Sequence, residues 1–356
     1  MARAVASRAA SAPRLCPASH RWISSTKAGS VANSTAPAPA EVQKRGKDFF
    51  YQYPRDSAVW NLFSRLTVFA IACVCKAFVR LRHRSSVLHV DRLQAALKRA
   101  REEGRGVITV MNHVSVLDDP LVWGASLPVR TLARVHGLRW AFGARDICFK
   151  NKFESLFFSL GRVLSVQRFG RGPDQPAIDC GVYLVSRGSW VHLYPEGFVH
   201  QPYEPYAGTL RYFHWGVSRL VLESGPRAPI VLPIYAHGLH NVFPEDRVKR
   251  TFGYGWDEPL VYNYGEPLAG DRLDAFRQQW QDAEHTSGEH AGLARDAVRS
   301  DVAQFLRAGV LDAKREAVQL VAEDLDPSLG TPQFWKSQTL VKLKGLTVNQ
   351  KKRKAE

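Results

Sequence analysis

The sequence predicts an α/β protein in which a largely parallel central sheet is covered by helices. Short apolar runs with strand character alternate with segments of helical composition, and this order favours parallel strands joined by helices. A strongly apolar segment at 57–81 predicts an additional N-terminal helix, and the charged region after residue 270 predicts C-terminal helices. A chain of 356 residues can form one catalytic domain with a substantial core and appended segments.

The predicted elements follow one another in chain order. Strands are expected at 107–111, 130–135, 163–168, 190–194, 230–235 and 259–264. Helices are expected at 91–103, 119–126, 151–160, 175–187 and 212–224, with further helical stretches at 296–306 and 312–324. This order predicts a catalytic domain at 85–270 and a helical C-terminal region at 271–335.

Both ends of the chain are strongly basic. Residues 1–40 contain five basic side chains and no acid, and the tail at 336–356 contains seven basic side chains and one acid. The 295 residues between them therefore carry only +5 of the net charge of +16. An anionic membrane surface suits such tails better than nucleic acid, because no nucleic-acid motif accompanies them. The run 351–354 resembles a nuclear-localisation tract, but such short runs recur by chance.

The first forty residues have the composition of a mitochondrial transit peptide. They are rich in Arg, Ser and Ala and lack the continuous apolar core of a secretory signal. A disordered basic tail is the alternative. Residues 41–56 are expected to be a linker.

The cysteines point to neither a disulfide framework nor a metal site. There are five of them, an odd number, and their positions lack the paired spacing of zinc ligands. No metal and no cofactor are therefore predicted.

The segment 57–84 is expected to associate with a membrane. Its uninterrupted apolar core, 66–75, is only ten residues long and is bounded by Arg65 and Lys76. A spanning helix needs about twenty apolar residues, so a helix that enters one leaflet is favoured. A spanning anchor and a buried helix of a soluble domain remain open alternatives.

The strongest chemical signal is a histidine and an aspartate five positions apart, His113 and Asp118, directly after the apolar run 107–111. On one helix, five steps of about 100° would leave them roughly 140° apart, so they meet only if the chain turns after the strand. A carboxylate that orients an imidazole produces a general base for an attacking hydroxyl. The alternative is a loop histidine followed by a helix with acids in its first turn.

Three further blocks follow in order: a strand that ends at Arg168, the sequence Pro195-Glu196-Gly197, and an apolar run at 229–234 bracketed by prolines. Together with the dyad, these blocks resemble the glycerolipid acyltransferase superfamily. Additional motifs narrow the resemblance to the tafazzin family, over roughly 60–267; they lie at 112–124, 146–149, 157–161 and 210–216.

The resemblance implies a phospholipid–lysophospholipid transacylase that remodels cardiolipin and needs no coenzyme A. It implies that His113 is the general base and that Asp118 orients it. It also implies contacts with the substrate, by Asn112, Arg168, Glu196, Gly197 and Arg211. The implied substrates are cardiolipin, lysocardiolipin and phosphatidylcholine. The implied location is the mitochondrion, on the inner- and outer-membrane leaflets that face the intermembrane space. Association with other mitochondrial membrane proteins is left open.

The chain departs from the superfamily after Gly197. Many members continue with Thr-Arg-Ser, and tafazzins commonly have a lysine at the next position, whereas this chain has Phe198-Val199-His200. Arg211 is a candidate for the missing cation, and a structural salt bridge is its alternative role. Glu196 is a candidate for holding an arginine or a glycerol hydroxyl, and the alternative is a carboxylate in a turn that caps a helix.

Two other functions remain open at this point. An acyl-CoA-dependent lysophospholipid acyltransferase would use the same dyad, since thioester and oxygen-ester donors need the same base. A catalytically inactive membrane-structural protein would not need both His113 and Asp118, and the chain retains both.

Overall fold

The computed structural model describes residues 58–82, 85–132, 138–168, 172–201, 210–243, 260–287 and 291–323. The predicted transit-like segment 1–40, the linker 41–56 and the basic tail 336–356 lie outside the described residues.

A seven-stranded sheet forms the centre of the protein, with strand order β1-β7-β6-β2-β5-β3-β4. The strands are β1 Ser85–Leu88, β2 Val107–Met111, β3 Trp140–Ala144, β4 Val163–Val166, β5 Trp190–Leu193, β6 Ile230–His237 and β7 Leu260–Tyr264. Every neighbouring pair is parallel except β6 and β7, which are antiparallel. The predicted α/β class with a largely parallel sheet is confirmed.

Helices follow most of the strands. They are α1 Ala58–Arg82, α2 Val90–Glu103, α3 Asp118–Ser126, α4 Val129–Leu132, α5 Arg145–Cys148, α6 Lys152–Leu160, α7 Pro176–Ser186, α8 Gly216–Leu222, α9 Leu239–Val242, α10 Gly270–His285 and α11 Ala291–Glu323. The predicted helical stretches 296–306 and 312–324 both lie in one continuous helix, α11, as far as residue 323, and α10 falls within the region 271–335 that was predicted to be helical.

The sheet has a hydrophobic core on each face. Side chains alternate along a strand, so Ile108 and Val110 of β2 face α7, α8, α10 and α11. Val107 and Met111 of the same strand face α1, α2 and α3. All five residues of β2 are buried, as expected of a strand covered on both faces.

Helix α1 is attached to the domain along its length. Ser64 Oγ donates a hydrogen bond to the carbonyl of Leu160 at the end of α6 (2.7 Å), and Lys76 Nζ donates to the carbonyl of Gly124 in α3 (2.7 Å). A Cβ at Gly124 would lie 2.7 Å from Cys75 Cβ, so only glycine permits this close approach of α3 to α1. The ammonium group of Lys76 therefore has a hydrogen-bond acceptor within the protein.

The prediction of a strand at 130–135 is wrong for residues 130–132. Residues Val129–Leu132 form one helical turn, because the carbonyl of Pro128 accepts the N–H groups of Thr131 and Leu132. Residues 133–135 lie outside the described residues. The strand instead forms at Trp140–Ala144, whose glycine and two alanines have low strand propensity and give a weak sequence signal. The short strand β1 was not predicted either. Its sequence, Ser-Ser-Val-Leu, shows no alternation of polar and apolar residues, and all four residues are half-buried in the structure.

Candidate active site

The dyad lies at the carboxyl end of β2, the middle strand of the sheet. The chain leaves β2 at Met111 and turns, and Asp118 becomes the first residue of α3. Asp118 Oδ2 accepts the backbone N–H groups of Val114 (2.7 Å) and Ser115 (2.9 Å), which closes the turn. The same carboxylate therefore folds the loop and meets the histidine.

His113 Nδ1 lies 2.9 Å from Asp118 Oδ2. A carboxylate that already accepts two N–H groups receives a third donor here, so Nδ1 carries the proton and Nε2 carries the lone pair. The Asp118 side chain is fully buried, whereas 21% of the His113 side chain is exposed. An imidazole with a carboxylate on one nitrogen and part of its ring exposed suits a general base, and the role of His113 as that base stays a prediction.

The adjacent acid, Asp119, has a different partner. Its Oδ1 accepts from Arg139 Nε (2.9 Å) and from Trp123 Nε1 (3.2 Å). Burial lowers the pKa of Arg139 to about 10, which still leaves it charged at neutral pH. Asp119 is therefore paired with Arg139, and of the two adjacent aspartates it is Asp118 that contacts His113.

A series of packed aromatic rings begins at His113. The Tyr194 ring, at the end of β5, stacks on the imidazole with a centroid separation of 4.3 Å. His192 meets Tyr194 edge-on at 4.6 Å and Trp123 at 4.9 Å. Sequence reasoning missed Tyr194, although its position at the end of a strand just before Pro195-Glu196-Gly197 was an available signal.

Glu196 joins the dyad loop to the segment around residue 211. Its Oε1 accepts the backbone N–H of His113 (2.8 Å), and its Oε2 accepts the backbone N–H of Arg211 (3.1 Å). The residue is only 2% exposed, and burial raises the pKa of its carboxyl group. Both contacts are with main-chain N–H groups, so the observed partner is neither an arginine side chain nor the start of a helix. Direct contact of Glu196 with substrate stays a prediction.

Gly197 permits the turn that follows Glu196. Its φ is +74°, and a Cβ there would lie 2.7 Å from Cδ2 of His214. Any other residue would suffer both the backbone strain and the clash. The Gly197 N–H donates to the carbonyl of Tyr194 (3.1 Å), so the glycine shapes the loop, and its predicted contact with substrate stays a prediction.

The Asn112 amide extends the pairing of β2 with β6. Its Nδ2 donates to the carbonyl of Ala236 (2.9 Å), and its Oδ1 accepts the N–H of Ala236 (2.8 Å). Both ends of the buried amide are thus occupied by the backbone of β6. Asn112 fixes the start of the dyad loop, and its predicted contact with substrate is untested.

The backbone N–H groups of residues 113, 114 and 115 all donate to carboxylates. An oxyanion that develops at this site needs donors other than these three.

Arg168 and Arg211 come together at one aromatic ring. The guanidinium carbon of Arg168 lies 4.9 Å from the centroid of Phe198, and that of Arg211 lies 5.7 Å from it. Arg168 also forms an ion pair with Asp146, whose pKa it lowers through a hydrogen bond. No carboxylate in the described part of the chain pairs with the exposed Arg211 guanidinium. Sequence reasoning identified both arginines but missed Phe198 as their common neighbour.

Comparisons with known proteins identify relatives of most of the chain and of its central region. A protein-family model described as Acyltransferase matches residues 92–237. Tafazzin of Saccharomyces cerevisiae is 34% identical over 341 residues, which cover 83% of this chain and 88% of the yeast protein. Tafazzin of Drosophila melanogaster is 36% identical over 212 residues, 60% of this chain and 53% of that protein. N-acylphosphatidylethanolamine synthase of Arabidopsis thaliana is 37% identical over 179 residues, 50% of this chain and 60% of that protein.

The region matched by the family model contains His113, Asp118, Arg168, Glu196 and Arg211. The protein is therefore an enzyme, an acyltransferase. The similarity to the yeast protein extends beyond the acyltransferase region over most of both chains. The chain belongs to the tafazzin family of acyltransferases.

Proposed function

We propose that the protein is a coenzyme-A-independent transacylase that remodels the acyl chains of cardiolipin in mitochondrial membranes. The observation that carries this proposal is the His113–Asp118 pair, 2.9 Å apart, in a site that also contains two arginines on one ring. The substrates would be a lysophospholipid acceptor, such as lysocardiolipin, and a phospholipid donor, such as phosphatidylcholine.

The reaction exchanges one ester for another. His113 Nε2 takes the proton of the acceptor hydroxyl as its oxygen attacks the ester carbonyl of the donor. The tetrahedral intermediate then expels the glycerol oxygen of the donor, which receives the proton from His113. Asp118 holds the imidazole in the required tautomer and stabilises its charged form. Protons and acyl groups balance without a cofactor, and one ester bond breaks for each one formed.

Arg168 and Arg211 are proposed to bind lipid phosphates. Guanidinium groups suit phosphate because they offer several donors in one plane. The chain brings Arg168 from the end of β4, and it brings Arg211 from the segment that Glu196 fastens to the dyad loop. Because Glu196 connects the segment of Arg211 to the loop of His113, a phosphate bound by the arginines would lie close to the reacting ester.

Membrane association is proposed to occur through α1. Within the described residues, one helix, Ala58–Leu81, is long and apolar enough to cross a membrane. One face of α1 is buried against the domain, while a second apolar stripe is exposed along its length, formed by Val59, Leu62, Phe63, Leu66, Val74 and Leu81. Because α1 also packs against α3 and α6, a full span would carry those helices into the lipid. This favours a helix that lies in one leaflet.

The leaflets facing the intermembrane space are the proposed location. The family resemblance and the transit-like composition of residues 1–40 support a mitochondrial address.

The decisive experiment supplies the purified full chain in liposomes with lysocardiolipin and acyl-labelled phosphatidylcholine, without coenzyme A. We expect label to appear in cardiolipin, and His113→Ala should abolish most of the transfer. Transfer from acyl-CoA alone would instead identify an acyl-CoA-dependent enzyme, and no transfer from either donor would indicate an inactive structural protein. Phosphatidylethanolamine belongs among the acceptors, since the Arabidopsis relative is named for a product that carries an acyl group on that lipid.

A further inference from the structure

We propose that Phe198 is a positioning residue that assembles Arg168 and Arg211 into a single phosphate-binding unit. The ring would thereby replace the cation that related chains have directly after the Pro-Glu-Gly block. This inference rests on the proposed function, because it assumes that a phospholipid headgroup occupies the site.

The position of Phe198 is set by its neighbours in sequence. Gly197 makes the left-handed turn with φ +74°, and the Glu196 carboxylate holds the backbone of His113 and Arg211. Phe198 therefore starts from a backbone that is fastened to the dyad loop. The ring is therefore two positions along the chain from a residue that is hydrogen-bonded to the backbone of His113.

The two arginines reach the ring from separate parts of the chain. Arg168 follows β4, an edge strand, whereas Arg211 lies before α8. Their guanidinium carbons lie 4.9 and 5.7 Å from the same ring centroid. Arg168 is also paired with Asp146, and the shared ring adds a contact that opposes the repulsion between the two like charges.

An aromatic ring can hold two guanidinium groups because its faces are electron-rich. A contact with the ring face uses none of the N–H donors, because these lie at the guanidinium edge. In Arg168, Nε and Nη2 donate to Asp146. Asp146 pairs with Arg168 and orients it from the other side. A lysine in place of Phe198 would add one charge but would repel both arginines. An aromatic ring with two arginines is therefore an alternative to a lysine at this position for binding phosphate.

The test compares Phe198→Leu, Phe198→Tyr and Phe198→Lys in the liposome assay. Two acceptors are used, lysocardiolipin with two phosphates and lysophosphatidylcholine with one. Tyr212→Leu is the matched control, because Arg307 lies 5.6 Å from the centroid of this exposed ring. That variant removes one cation–π contact of Arg307, which keeps its hydrogen bonds to the carbonyls of Leu210 and Arg211.

We expect Phe198→Leu to raise the KM for lysocardiolipin at least about fivefold, with a smaller increase for lysophosphatidylcholine and little change in kcat. Phe198→Tyr should restore most of the wild-type KM, since it keeps the ring. Phe198→Lys should not restore it, because its charge disperses the two arginines. Tyr212→Leu should leave both KM values near those of the wild type.

Three results would overturn the inference: an unchanged KM in Phe198→Leu, equal increases for both acceptors, or a Phe198→Tyr variant as defective as Phe198→Leu. Thermal unfolding of each variant identifies a loss of folding, and in that event Phe198→Tyr decides the question. If the wild type transfers no acyl group without coenzyme A, the proposed function fails separately. The same KM comparison is then made with an acyl-CoA donor.

Discussion

The phenol ring of Tyr194 stacks on the imidazole of His113, with centroids 4.3 Å apart and planes inclined by 26°. Burial raises the pKa of Tyr194 well above its ordinary value, with a further contribution from the charge of Asp118, so the phenol stays neutral. Its hydroxyl has no hydrogen-bond partner within the part of the chain that the structure describes. The contact with His113 is therefore made by the ring.

This stacking predicts different effects for two substitutions of Tyr194. Tyr194→Phe keeps the ring and should retain most of the activity. Tyr194→Leu loses the stack and should lower kcat by up to about tenfold, because aromatic pairs contribute about 0.5–1.5 kcal/mol beyond burial. Steady-state transacylation at several pH values tests this. A Tyr194→Phe variant as impaired as Tyr194→Leu would assign the role to the hydroxyl.

The dyad predicts large losses on substitution. His113→Ala should reduce transacylation by at least about a hundredfold, the usual scale for loss of a general base. Asp118→Asn should be nearly as damaging, because the buried amide cannot replace a carboxylate that accepts from Nδ1 and two backbone N–H groups. Label transfer is measured alongside vesicle binding, which should stay normal in His113→Ala. Near-wild-type turnover in His113→Ala would exclude the assigned base.

The buried His192 predicts a stability that falls in acid. Burial lowers the pKa of His192 well below its ordinary value. The Thr109 hydroxyl accepts from Trp190 Nε1 and so can donate to His192 Nδ1, which needs a neutral ring. Below about pH 6.5 the unfolded chain binds a proton that the folded protein excludes, so stability decreases as pH falls, by at most about 1.4 kcal/mol per pH unit.

His192→Phe should flatten this dependence even if it lowers the absolute stability. Denaturant unfolding at pH 7.5 and pH 5 is the measurement, and the relevant quantity is the difference between the two pH values. His285→Phe, at an exposed position of α10, is the matched control and should keep the wild-type dependence. An equal loss in acid for wild type and His192→Phe would show that other groups determine it.

The exposed stripe of α1 predicts which substitutions release the protein from membranes. Leu62, Leu66 and Val74 are 53%, 54% and 69% exposed. Replacing all three with serine should abolish flotation with cardiolipin-containing vesicles at high salt, since each buried side chain contributes about 1.5–3 kcal/mol. Phe69 and Ile71 are less suitable positions because both pack partly against the core.

Leu293→Ser is the control for this prediction, because Leu293 is 69% exposed but lies on α11. Unchanged flotation of the triple variant would remove α1 from the membrane contact. Release of the wild type by alkaline carbonate, with retention in high salt, would support a helix in one leaflet. Retention in carbonate would support a span.

The N-terminal segment predicts a separation of targeting from activity. Deletion of residues 1–40 should leave an active enzyme in vitro that no longer enters mitochondria in cells, because five basic residues of the transit-like segment are lost. Fractionation and an import assay measure this. Continued import of the shortened chain would place the address elsewhere, with α1 as the first region to test.

The sequence by itself determined the features whose information is local. The apolar runs with helices between them predicted the parallel sheet, because a strand buried on both faces needs continuous apolar residues. The spacing of His113 and Asp118 predicted their meeting, because a turn after a strand is the one local conformation that joins them. Where the local pattern was weak, as at Trp140–Ala144, the prediction failed.

Tertiary structure alone decided the partners that lie far apart along the chain. Glu196 accepts from the backbone of His113 across 83 positions, and Asn112 pairs with the backbone of Ala236 across 124. In the same way, the Phe198 ring contacts the guanidinium groups of Arg168 and Arg211. A residue's type and local periodicity indicate that it is polar, aromatic or charged, but they do not specify which distant group will be brought to it. That choice follows from the order and register of the strands, because β2, β4 and β5 end at one edge of the sheet.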